Sequence, residues 1–210
     1  MKTRMVLVAA VPLVTGVLLA WHPADPTDVM TLVPVLPRWL AVHLGLLIAL
    51  PLLALLLLRL LQGSEGPAAT VSRLAVVVAT ALYTAFETLL GTGTGILVGL
   101  ADGLPDELRA GAVELTQRWW EVPPVIAVIS TAAIIAWVVA YAGAAIALHR
   151  DGAPAVVVWG LLLTAGVFAA GHPGVTGLVA MLALAVALAA GEPHRRHTGA
   201  PERARADAPQ

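Results

Sequence analysis

The 210-residue chain is 59 % hydrophobic and 12 % charged, with a formal net charge of -1 and no cysteine. This composition excludes an ordinary soluble domain, and the absence of a basic patch interleaved with aromatic residues argues against a nucleic-acid partner. With no cysteine there is no disulfide, thiolate nucleophile, iron-sulfur cluster or thiolate metal site. The chain reads as an all-α polytopic membrane protein, a bundle of six transmembrane helices with the lipid bilayer as its partner.

Residues 5–21 form the first apolar run, preceded by Lys2 and Arg4. It is read as a retained helix rather than a signal peptide, because Leu18 stands where a cut after Ala20 would need a small residue. A polar, proline-punctuated loop from His22 to Pro37 follows, carrying Asp25 and Asp28. The second span is 39–61, with Pro51 inside it, where the missing N–H favours a kink near Leu47.

After a short Gly/Pro/Ser linker, residues 74–100 form the span around which the others are organised. The 28 residues between Arg73 and Asp102 would rise about 42 Å as a helix, the full bilayer thickness with headgroups. Glu87 lies near the middle. On a helical wheel Thr80, Tyr83, Thr84, Gly91 and Thr94 share its face, whereas Val78, Leu82, Ala85, Leu89 and Ile96 lie opposite. A carboxylate at that depth costs about 2.5 to 3.5 kcal/mol on insertion scales, so Glu87 is expected to turn inward, to a partner or as a protonated packing group. Gly91 to Gly95 has neither the preceding soluble strand nor the following Lys of a phosphate loop. Close approach of another helix at Gly91 and Gly95, with a local kink or unwound turn, explains the run better.

Residues 101–124 form the longest loop, in which 105–120 reads as an amphipathic surface helix. The fourth span is 125–148, with Ser130, Ala133, Trp137, Ala140, Tyr141 and Ala144 on one packing face. Spans five and six, 154–171 and 175–190, make a hairpin around Gly171-His172-Pro173-Gly174, and 192–210 reads as a disordered tail. Nine Lys/Arg residues fall on the side of the termini, against Arg38, Arg109 and Arg118 opposite, so both termini are expected in the cytoplasm. Trp21, Trp39, Trp119 and Trp120 would form the aromatic belt of the outer interface.

Two function classes follow from these placements. One is binding or transport of a small solute, a cation or protons in an outward-facing pocket made by Glu87, Tyr83, His43, Thr94 and Thr84. In that pocket a water-mediated link from His43 to Glu87 is easier than direct contact. The other is an intramembrane enzyme with a metal or haem held by His22, His43 and His172, although no His-Glu-x-x-His or i, i+4 ligand pair supports it. A trio of Ser130, His43 and Glu87 is conceivable for hydrolysis. A scaffold or accessory subunit without pocket chemistry is the remaining alternative, and neither the cofactor nor the oligomeric state is readable.

Pro37-Arg38-Trp39-Leu40-Ala41-Val42-His43-Leu44, Tyr83-Thr84-Ala85-Phe86-Glu87 and Gly171-His172-Pro173-Gly174 resemble landmarks of uncharacterised multi-pass integral membrane proteins of actinobacterial type. The resemblance implies the fold and no activity.

Overall fold

A computed structural model describes residues 2–121, 124–170 and 174–198, with side chains in 8–121, 124–169 and 174–191. Helix α1 is Lys2–Trp21, followed by a 3-10 helix at Val29–Val35, and α2 is Leu36–Leu60. Helix α3, Pro67–Phe86, passes through a π-helical turn at Glu87–Thr92 into α4, Gly93–Asp102. Helix α5 is Asp106–Trp120, α6 is Pro124–Arg150, α7 is Ala155–Ala170 and α8 is Val175–Thr198.

The fold is all-α, with no strand among the described residues. Val29–Leu60, Pro67–Asp102 and Asp106–Arg150 are long and apolar enough to cross a membrane, and Val8–Trp21, Ala155–Ala169 and Val175–Gly191 are shorter apolar helices. These six apolar segments make the bundle expected of a polytopic membrane protein. Leu44, Ile48, Leu55, Leu74, Ile96, Leu100, Val128 and Trp159 point outward and give the bundle the apolar exterior that suits lipid.

Several boundaries differ from those expected. The third span begins at Pro67, whose missing N–H is harmless at the start of a helix, rather than at 74. Part of the loop before α2 is the 3-10 helix, capped by Asp28, whose carboxylate accepts from the Met30 N–H. Helix α8 continues past 190 to Thr198, and 199–210 lie outside the described residues.

Neighbouring helices form a closed circuit in which α1 meets α2, α2 meets α3, α3 meets α6, and α6, α7 and α8 follow in turn until α8 meets α1. The α3–α6 seam is the most extensive. It closes on small residues. A Cβ at Gly143 would stand 3.1 Å from the Ser72 Cβ and 3.2 Å from the Ala68 carbonyl, while the Ser72 hydroxyl donates to the Ala140 carbonyl at 2.6 Å. Such close approach lets dispersion and interhelical hydrogen bonds hold helices together where lipid removes the hydrophobic drive. On the other side of α6, Trp137 and Tyr141 stack with each other at a centroid separation of 5.4 Å and with Phe168 of α7 at 5.6 and 6.0 Å.

Beneath this ring the α2–α3 turn is tied by Arg73, whose guanidinium donates to the Leu61 and Ser64 carbonyls at 2.7 and 2.6 Å. At the opposite end α5 lies across the π turn and the 3-10 helix. The side-chain oxygen of Gln117 accepts from the Val29 N–H at 3.0 Å, and the Trp120 indole donates to the Pro26 carbonyl at 2.8 Å. The Arg109 guanidinium donates to the Asp102 carbonyl, satisfying one of the last carbonyls of α4. Those contacts fix the mouth of the site described next.

Candidate functional site

The π turn makes the site. Three glycines in five residues weaken the α-helical ladder after Glu87, and the chain widens into a π-helical turn, a feature frequent at functional positions. The widened turn leaves carbonyls for side-chain donors. The buried Trp39 indole donates to the Gly91 carbonyl at 2.7 Å, and the Trp119 indole to the Leu89 carbonyl at 3.3 Å. The Thr88 hydroxyl bonds back to the Thr84 carbonyl at 2.7 Å.

Glycine at 91 also brings α2 close. A Cβ there would lie 2.6 Å from the His43 Cγ, inside the imidazole ring's own space, so only glycine leaves room for this ring. In that position His43 Nδ1 meets Glu87 Oε2 at 2.6 Å, with 7 % and 2 % of the two side chains exposed. The contact is direct. The expectation of a water-mediated link placed Glu87 deeper in the bilayer than His43, whereas the packing of α2 on the π turn at Gly91 brings the two side chains level.

With Glu87 ionised, the Nδ1–H of His43 donates to the carboxylate and fixes the ring tautomer. His43 Nε2 is buried without a hydrogen-bond partner among the described residues. The His43 ring packs between Trp39, at a centroid distance of 4.4 Å, and His22, edge-on at 4.9 Å. His22 donates from Nδ1 to the Pro23 carbonyl at 2.5 Å, which leaves its Nε2 as an acceptor. Burial, and then the neighbouring His43, hold His22 below the ordinary histidine range.

These groups line a cavity of about 330 Å³ bounded by His22, Asp25, Trp39, His43, Phe86, Glu87, Leu90, Gly91, Trp120 and Ile134. It takes walls from α2, from α3 with its π turn, from α5 and α6, and from the segment after α1. Asp25 is exposed at the rim, and Trp120 packs edge-on against Trp39 at 5.8 Å.

Of the residues singled out in the sequence, His22, His43 and Glu87 come together here. Tyr83 is buried one turn before Glu87 and packs edge-on against Phe86, but it does not line the cavity. Thr84 supplies a carbonyl to Thr88, and Thr94 is fully buried with its hydroxyl unpartnered among the described residues; neither reaches the cavity. The Ser130 hydroxyl donates to the Ala127 carbonyl of its own helix. His172 lies outside the described residues, and among those described no three His, Asp or Glu side chains converge as metal ligands.

Asp25, Trp39, Phe86 and Trp120 are among the lining residues that sequence reasoning did not place in the site. The signal for Trp39 was present, since positions 39 and 43 are four apart and share a helical face. Comparison of the chain with protein-family models, with curated proteins and with solved structures finds no match in any of the three.

Proposed function

We propose that this chain is a membrane binding or transport protein whose His43–Glu87 pair forms the acidic floor of a pocket for a small solute, a cation or protons. The observation that carries this reading is the buried 2.6 Å contact between imidazole and carboxylate at the wall of a cavity. A carboxylate inside apolar surroundings gains little stability over an apolar residue of the same size, because its desolvation offsets the hydrogen bond it accepts from the imidazole. A use for its charge therefore accounts for it better than packing does, in keeping with the rule that ionisable groups within membrane spans mark ion or solute paths.

Positive residues on the side of the termini support a cytoplasmic placement of both ends. On that topology the rim formed by His22, Asp25 and Trp120 faces outward. The sequence motifs that resemble multi-pass proteins of actinobacterial type support the same membrane setting and add no activity.

The test is reconstitution of the full chain in liposomes holding a pH-sensitive dye. After an acid pulse, with and without candidate cations, the wild type should move protons or exchange them for the cation. Glu87→Gln keeps shape and hydrogen bonding, so it should give folded protein without the flux. A fully active Gln variant would remove the proton or cation role and leave Glu87 as a packing residue.

A further inference from the structure

We propose that the ligand of this pocket is a small organic ammonium cation, a protonated amine with a short apolar body. The inference rests on the binding reading above and names the ligand class for the same site.

Three features of the cavity select this chemistry. The first is charge. Glu87 lies in the wall and Asp25 at the rim, whereas the depressed basicity of His22 keeps that ring from adding positive charge at neutral pH. A cation is favoured over an anion. The second is the wall itself, in which Trp39, Trp120 and Phe86 provide aromatic surface beside the carboxylates. Aromatic rings attract cations through their quadrupoles, most strongly where water is excluded, and they also accept an apolar body that a hydrated metal ion does not have. The third is hydrogen bonding. The Nδ1–H of His43 holds Glu87 by Oε2 at the cavity wall, which fixes the carboxylate in place for an N–H donor or cation.

The competing cations fit less well. Sodium, magnesium or calcium would take about six oxygen ligands, and the wall offers two carboxylates among rings and aliphatic groups, with no three ligating side chains converging among the described residues. The volume of about 330 Å³ lies at the lower end of small-molecule pockets, which run from about 300 to 1,000 Å³. That limits the ligand to a small amine.

The experiment is calorimetric titration of the purified full chain in detergent with n-butylammonium, with 1-butanol as the neutral counterpart of the same length and sodium as the inorganic cation. Butylammonium should bind saturably, and butanol and sodium should not. Trp120→Ala should weaken butylammonium about tenfold or more through lost cation–π and apolar contact, while Trp120→Phe should restore most of it. Glu87→Gln should weaken it by a similar factor or more. Near-ultraviolet circular dichroism checks that each variant is folded.

Equal binding of butanol, or no effect of Trp120→Ala in a folded protein, would overturn the ammonium assignment. So would absence of butylammonium binding while liposome flux still depends on Glu87, which overturns the ligand class and leaves the binding reading standing. Loss of both the binding and the Glu87-dependent flux overturns both.

Discussion

Gly91 and His43 compete for one volume: a single methyl on Gly91 would sit 2.6 Å from the imidazole Cγ, and it is the bare backbone that lets the ring reach Glu87. Gly91→Ala should therefore push the ring aside and separate the pair. The expected destabilisation is about 1 to 3 kcal/mol, typical of overpacking a tight interior. Thermal unfolding in detergent measures it, and liposome flux should fall with it; unchanged stability and flux would show that α2 yields without cost.

Removing one partner of the buried pair leaves the other without its counter-group. His43→Ala should cost about 3 to 5 kcal/mol, the range for an uncompensated buried charge, and Glu87→Ala about 1 to 3 kcal/mol, the range for a buried donor left unpartnered. The double variant should lose less than the sum of the two, with a coupling of about 1 kcal/mol or more. Strict additivity in denaturant or thermal titrations would mean that the two side chains do not interact energetically.

Trp39→Phe keeps a ring but deletes the donor that bonds the Gly91 carbonyl. Leaving that carbonyl unpartnered should cost about 1 to 3 kcal/mol. Protection of the π turn in hydrogen exchange should drop before that of α6, and equal loss at both would indicate a global rather than a local effect.

His22 carries a pH dependence whose sign follows from its lowered basicity. Its folded form gains a proton less readily than the unfolded chain, so its neutral state stabilises the fold above the ordinary value of 6.5. That contribution is lost as pH falls through about 6.5 towards the lower folded value. The midpoint of thermal unfolding should decline across that window, and His22→Gln should flatten the decline. A slope unaltered by His22→Gln would place the titration elsewhere.

The proposed topology is checked by reporter fusions. Reporters after Glu65, after Glu114 and at the C-terminus should read inside, outside and inside. An outside reading at the C-terminus would remove that arrangement and reverse the direction in which the rim of the cavity faces.

The 3.6-residue period made much of the third helix legible in advance. Tyr83, Glu87 and Thr94 are buried, and Val78, Leu89 and Ile96 face outward, because an amphipathic period survives even an irregular turn. The packing face of α6 was legible for the same reason, with Ala133, Trp137, Ala140, Tyr141 and Ala144 all buried and only Ser130 at its N-terminal end half-buried. The walls of the cavity were not. Trp39 was expected in an interfacial belt because an indole has one polar edge that usually finds the headgroups, but here that edge is satisfied by a carbonyl of the π turn. Which carbonyls a helix makes available depends on where it widens, and hydrophobic periodicity carries no information about that. Thr84 and Thr94 share the wheel face of Glu87 yet flank the cavity above and below its lining residues Phe86, Glu87, Leu90 and Gly91, and position along the axis is a coordinate the wheel discards.

The closed circuit of helices bears on the order in which the molecule is made. Every wall of the cavity comes from residues between His22 and Ile134, so the pocket is encoded before α7 and α8 emerge. Helix α1, by contrast, has its main interface with α8, where the Gly174 N–H donates to the Leu19 carbonyl at 2.9 Å and Gly16 seats Leu178 and Met181. In chain order α1 has only its smaller interface, with α2, available before the last hairpin is made. The walls of the cavity are synthesised first and the helices that close the circuit around α1 last.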